Sequence, residues 1–220
     1  MRRTATAERQ SIPGPAGPLE ALVEAAAEPA SAVAVVCHPH PLHGGAMTNK
    51  VAYTLARAFM RVGAVSVRFN FRGVGASAGT HTGGEGERED AVAVAKWARE
   101  AYPGLPLYLG GFSFGAGIAA SVASGLGAAV LVTVAPPVAR LAGGVTPPGC
   151  PWLIVHGSED ELVPLDDVEA WRAVHAPSAR LVVLEGATHF FHGRLKELSE
   201  SVESFVRDAV DLGAANAVRA

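Results

Sequence analysis

Six short runs rich in apolar and β-branched residues recur along the chain, at residues 31–37, 64–71, 105–110, 128–135, 152–156 and 180–185. Most lack the alternation of polar and apolar positions that a half-exposed strand shows, so each strand needs cover on both faces. Stretches of helical character separate them, at 49–62, 85–102, 116–124, 166–175 and 194–210. The first carries Val51, Leu55, Ala58, Phe59 and Val62 on one face and stops at Gly63, a plausible left-handed C′ residue. The second opens with an acidic turn, which suits the positive end of a helix dipole. This alternation predicts an α/β chain: a mostly parallel sheet between two layers of helices. Residues 19–26 read either as an antiparallel strand paired with one near 4–12 or as an extra helix. The Ala-rich tail, 213–220, reads as a frayed end.

A chain of 220 residues with 49% hydrophobic and 18% charged residues fits one domain with a substantial core. The net charge is −3 and no long basic run occurs, which excludes the clustered cations that a nucleic-acid partner requires. No stretch has the length and apolarity of a membrane span, and no apolar segment follows the charged Met1-Arg2-Arg3-Thr4. The expectation is a cytoplasmic protein. Cys37 and Cys150 lack metal-ligand spacing and sit at the edges of apolar runs, so they read as small buried hydrophobes rather than a disulfide.

Ligands of such sheets bind beyond the carboxyl ends of the strands, so the residues just after each run carry the functional interest. After 105–110 the chain reads Gly111-Phe112-Ser113-Phe114-Gly115 and then enters a helix. This is G-x-S-x-G in the strand–turn–helix setting that the motif demands. A sharp turn there strains the serine and presents its Oγ above the sheet. Small residues two before and two after are needed because the flanking backbones approach too closely for side chains. Ser113 is therefore the candidate nucleophile, in place of an ordinary turn with a serine at a helix start.

A serine hydroxyl is weak until a base takes its proton. Beyond residues 152–156 come Gly157-Ser158-Glu159-Asp160-Glu161-Leu162-Val163-Pro164, and beyond 180–185 come Gly186-Ala187-Thr188-His189-Phe190-Phe191. His189 is the candidate base, with His192 its rival; His156, His175 and His192 read as structural. A carboxylate in the first of these loops can hold the Nδ1–H of that histidine. Glu159 and Glu161 compete with Asp160 but read as a solvated acidic loop.

Together, residues 111–115, 156–164 and 186–191 resemble the α/β-hydrolase superfamily. The stretch Cys-His-Pro-His-Pro-Leu-His-Gly-Gly-Ala-Met-Thr-Asn-Lys-Val at 37–51, with 68–77, is similar to its small bacterial predicted hydrolases and esterases without a cap. The likeness extends from about residue 32 to the final helix. It implies an eight-stranded, mostly parallel sheet, helices on both faces, no cap domain, no cofactor, and hydrolysis of a small-molecule ester. It also favours Asp160 as the acid, because there an Asp precedes a Val-Pro pair that starts the next helix. An oxyanion hole needs two amides. Phe114 supplies one; the second belongs to the loop after the first parallel strand, where Pro39 and Pro41 have no N–H. His40 is the expected donor and Leu42 the reserve. Many members have His-Gly after that strand where this chain has His38-Pro39.

Rival readings attach to particular residues. His38, His40 and His43 suggest a metal-dependent hydrolase, but Leu42 stands where the aspartate of such a signature belongs, and Ser113 would be left without a role. A non-catalytic ligand-binding relative would be expected to lack a member of the triad, and here Ser113, Asp160 and His189 are all competent. Only residues 136–151 separate two strands where caps are commonly inserted, so the site should be open and suited to short acyl groups. Phe71, Phe112, Phe114, Phe190 and Phe191 are candidates for its lining, some of them for the core instead. The place of His81, in the Gly-rich loop 75–84, stays open.

Overall fold

The computed structural model describes residues 7–25, 29–141, 143 and 145–217, the last six without their side chains. It contains a sheet of eight strands. In chain order these are β1 (Ala7–Gly14), β2 (Gly17–Ala25), β3 (Ala32–Cys37), β4 (Ala64–Phe69), β5 (Leu107–Phe112), β6 (Val130–Val134), β7 (Trp152–Gly157) and β8 (Arg180–Leu184). The spatial order is β1-β2-β4-β3-β5-β6-β7-β8. Strands β4, β3 and β5 to β8 pair in parallel, while β2 runs antiparallel to both β1 and β4. Residues 19–25 thus resolve as strand, not helix, and residue 26 lies outside the described residues. A tight connection between Gly14 and Gly17 makes β1 and β2 a hairpin, and β2 extends the sheet beyond β4.

Helices α1 (Lys50–Arg61), α2 (Glu85–Ala101), α3 (Phe114–Ala123), α4 (Leu165–His175) and α5 (Leu195–Ala217) cover the two faces. Each central strand feeds both layers by alternation. In β3, Val33, Val35 and Cys37 join the layer of α2, α3 and α4, while Ala32, Ala34 and Val36 join that of α1 and α5. All six are at most 1% exposed, which is why the run shows no polar alternation. α1 begins where the Asn49 carboxamide oxygen accepts from the Val51 and Ala52 amides, and the chain leaves it through Gly63 at φ 93°.

Several sequence expectations need correction. α3 starts at Phe114, not 116, because Ser113 itself occupies the cap position. α5 runs to Ala217, so part of the tail read as frayed is helical, and 218–220 lie outside the described residues. Both cysteines are free; Cys37 is buried but Cys150 is only half-buried. Sequence reading also missed a charge inside the sheet. Arg68 of β4 is buried, donates to Glu24 of β2 and to the Met47 carbonyl at 2.6 Å each, and lies over the Tyr53 ring. These contacts offset the cost of burying the charge, although Arg68 Nε is buried without a hydrogen-bond partner among the described residues.

The topology also places the site. β3 is followed in space by β4 on one side and by β5 on the other. The direction of winding therefore reverses between β3 and β5, and the loops leaving their carboxyl ends part to open a crevice.

Candidate active site

The crevice is bounded by the loop after β3 and the turn after β5. Ser113 sits at φ 53° and ψ −120°, a strained conformation for a side-chain-bearing residue. Its amide donates to the Val134 carbonyl at 2.9 Å, and its carbonyl accepts from Ala116 at 2.8 Å, so neighbours on both sides hold the strain. The flanking glycines are steric necessities. A Cβ on Gly111 would collide with the Gly115 carbonyl, and one on Gly115 with the carbonyls of Cys37 and His38. The turn and the end of β3 are thus in backbone contact, which brings the two sides of the crevice together.

Two further strand ends converge on Ser113. The His189 Nε2 lies 3.1 Å from Ser113 Oγ, and its Nδ1 lies 2.8 Å from Asp160 Oδ2. A carboxylate only accepts, so Nδ1 carries the proton and Nε2 is left to accept from the serine hydroxyl. Asp160 is 8% exposed and His189 2%, so the relay is largely out of water. Burial pushes the Asp160 carboxyl towards its neutral form. Hydrogen bonds from His189 and from the Val163 and Leu162 amides outweigh this and hold it below the usual carboxylate range. The three residues singled out in the sequence, Ser113, Asp160 and His189, are therefore brought together in hydrogen-bonded order.

Other predicted residues fall into place around them. Glu161 is exposed, as expected of a solvated carboxylate, and also accepts from the His189 backbone amide at 3.0 Å, which anchors the base from behind. Glu159 is exposed, as expected. His156 is buried beneath the acid loop, where its Nε2 donates to the Val163 carbonyl at 2.8 Å and lies 3.6 Å from Asp160 Oδ2. Burial chiefly, against the pull of Val163 and Asp160, holds its pKa below the ordinary imidazole range.

The three histidines after β3 separate into different environments. His38 is fully buried; its Nδ1 donates to the Pro39 carbonyl at 2.6 Å and its Nε2 accepts from the Phe71 amide at 3.0 Å. Burial lowers its pKa to about 4, so it is a neutral brace tying the loop after β3 to the loop after β4. With both ring nitrogens engaged, His38 is no metal ligand. The His40 and His43 rings stack face to face, and among the described residues no three ligand-type side chains converge as a metal site would require. The Leu42 amide donates to His40 Nδ1 at 3.3 Å, so the reserve oxyanion donor is already engaged. Phe114 is the first residue of α3, so its amide has no intrahelical partner.

His81 does reach this neighbourhood. Its ring lies 4.9 Å from that of His40 and 5.7 Å from that of Phe114. Glu87, fully buried, holds it through Nδ1 at 2.8 Å and also accepts from the amides of Thr82 and Gly84. Arg72 is held bidentately by Asp90, so the Gly-rich loop is tied down at both ends. Sequence reading missed Glu87, although a carboxylate three residues after a helix cap was the available signal.

Of the five phenylalanines considered as lining, Phe71, Phe112 and Phe191 are fully buried core residues. Phe114 borders the site, and Phe190, 44% exposed, packs its edge on His189. Between β6 and β7 the described residues form only a short 3-10 turn, Val138–Leu141, and no cap covers Ser113. A cavity of about 800 Å³ lies at the amino ends of the strands, opposite Ser113, and has no part in this chemistry. Among the described residues no helix is long and apolar enough to cross a membrane.

Comparison with known proteins agrees with this architecture. Residues 30–143 match a family model described as serine aminopeptidase, S33. An uncharacterized protein of Rickettsia prowazekii (strain Madrid E) is 33% identical over 204 residues, covering 88% of this chain and 86% of its own. The solved structure of an alpha-beta serine hydrolase homologue from Coxiella burnetii is 44% identical with a TM-score of 0.84, covering 93% of this chain and 97% of its own. A serine hydrolase without lid from Xanthomonas campestris is 38% identical with a TM-score of 0.86, covering 94% and 96%.

Proposed function

The chain belongs to the α/β hydrolases of the serine aminopeptidase S33 family, with a serine hydrolase homologue and a serine hydrolase without lid among its relatives, and from that premise we propose that it hydrolyses small, short-acyl carboxylic esters or thioesters through an acyl-enzyme. One observation carries the reading: the continuous relay from Asp160 Oδ2 through both nitrogens of His189 to Ser113 Oγ.

In this mechanism His189 takes the hydroxyl proton as Ser113 Oγ attacks the carbonyl carbon. Asp160 holds the tautomer that leaves Nε2 free and stabilises the imidazolium that forms. The tetrahedral oxyanion is received by the Phe114 amide and, across the crevice, the His40 amide. His189 then protonates the leaving alcohol or thiol, and water activated by the same Nε2 releases the acid. Every step uses side chains and amides of this chain, so the proposed enzyme needs no metal or cofactor. Its partner is a small-molecule ester and its setting the cytoplasm.

The open crevice supports short acyl groups, because a long chain would gain little burial there. The test is labelling by a fluorophosphonate probe, wild type against Ser113→Ala, with the modified peptide mapped by mass spectrometry. Labelling at Ser113 that is lost in the variant is the expected result. A folded wild type that resists the probe would overturn the assignment.

A further inference from the structure

A pocket of about 190 Å³ begins at Phe114 and runs down one face of α3, past Gly117 and Ile118. Positions three and four apart on a helix share a face, so this wall is continuous. Its opposite walls are the Gly83-Gly84 turn ahead of α2 and the link after β6. The space exists because small residues line it. A Cβ on Gly84 would touch Ile118 and Phe114 at 3.8 Å, and one on Gly117 would press on Pro137 at 3.3 Å.

The pocket's polarity is one-sided. Arg88 and Arg140, both exposed at its rim, line it, and among the described residues no acidic side chain does. Neither forms an ion pair among the described residues. Arg88 Nε donates to the Gly84 carbonyl at 3.2 Å, which directs the guanidinium along the turn. The charge of Arg140 is felt in the crevice: burial is the main cause of the lowered pKa of His40, and His43, His81 and Arg140 add to it by repulsion, with Glu87 opposing. A small cavity lined by two cations, with mostly apolar walls and the nearby Glu87 carboxylate already engaged by His81 and the Thr82 and Gly84 amides, is complementary to an anion carried on a short chain.

The two sides of the site separate the halves of an ester. Phe191, two residues beyond His189, packs in the layer of α1 and α5, whereas Phe114 and Ile118 pack in the layer of α2 and α3. The leaving group must sit beside His189, which protonates it. The pocket beyond Phe114 is therefore on the acyl side.

Building on the serine-hydrolase reading above, we propose that this pocket is an acyl subsite for a chain ending in a carboxylate, so that the substrate is the monoester of a short dicarboxylic acid. Arg88 and Arg140 are its specificity-determining residues. Water cleaves the ester bond between the carbonyl carbon and the leaving oxygen, giving the free dicarboxylate and an alcohol; the new acid ionises and releases one proton.

The test compares two fluorophosphonates that differ only at the end of a four-carbon chain on phosphorus, one bearing a carboxylate and the other a carboxamide. Second-order labelling rates at Ser113 are measured in wild type and in the Arg88→Gln, Arg140→Gln double variant, both checked for folding by thermal melt. The wild type should favour the carboxylate by about tenfold or more, the scale of one charge-assisted hydrogen bond. In the double variant the ratio should fall to about one or below. Equal wild-type rates, or a preference that survives in the double variant, overturn the subsite while leaving the serine-hydrolase reading intact. Failure of both probes to label Ser113 overturns that reading and the subsite with it.

Discussion

Replacing Asp160 by Asn tests the relay with almost no change of shape. Asp160 Oδ1 accepts from two amides, Leu162 at 2.9 Å and Val163 at 2.8 Å, while Oδ2 faces His189 Nδ1 at 2.8 Å. An asparagine can satisfy the two amides only with its carbonyl oxygen, because its NH2 would oppose two donors. The NH2 must then face His189, which forces Nδ1 to accept and moves the ring proton to Nε2. That nitrogen points at Ser113 Oγ and can no longer take its proton. Turnover of p-nitrophenyl acetate should fall by about 10⁴-fold, equivalent to about 5 kcal/mol of transition-state stabilisation. The fold should survive: two amide bonds remain, and a neutral hydrogen bond replaces a charged one at a cost of about 1 kcal/mol. Circular dichroism and a urea titration would establish this. A folded variant that keeps turnover within about tenfold of wild type would refute the tautomer argument.

Three further expectations rest on separate contacts. Gly115→Ala drives a methyl into the carbonyls of Cys37 and His38, backbone that cannot swing aside, and so displaces the loop after β3 from the nucleophile turn. Turnover should drop by about 10²-fold, and activity close to wild type would show that the contact is not needed. Glu24→Gln leaves the buried Arg68 guanidinium without its counter-charge. It should cost about 3–5 kcal/mol in a urea titration, and an unchanged midpoint would contradict that. Acid stability follows from Asp160 and Glu87. In Glu87 burial raises the pKa, but hydrogen bonds from Thr82, Glu87 and Gly84 amides prevail and lower it. For both groups the folded pKa is below the unfolded one, so their contribution is complete above the ordinary carboxylate range and is lost as pH falls below it. Asp160→Asn should therefore lose less stability than wild type over that acid window; parallel stability curves would speak against it.

The strand and helix order was legible because it depends on burial pattern. β3 is covered on both faces, so every position is under the same demand and the run is apolar throughout; β4 meets the same demand except at Ser66 and Arg68. The nucleophile turn was equally legible, since Gly111 and Gly115 answer a backbone collision that leaves no other residue type. His189 could be found because it stands just after a strand, where a parallel sheet opens its crevice; position alone left Glu159, Asp160 and Glu161 as candidates, and the resemblance to α/β-hydrolases favoured Asp160.

What the sequence alone determined, then, was what short-range sterics and periodicity dictate: an α/β layering, a strained serine, and an acid and a base in the right order. Contacts between distant segments were decided only by the tertiary structure. Glu161 is solvated as its sequence suggests, but its bond to the His189 amide, 28 residues away, arises only when the two loops meet. Glu24 and Arg68 lie 44 residues apart and become a buried pair only because β2 docks antiparallel on β4. Arg88 and Arg140 face one pocket only once α2 and the link after β6 close over α3. A charged side chain carries no local mark of its partner, because Coulombic and hydrogen-bonding energy depends on distance in space, which the chain acquires only on folding.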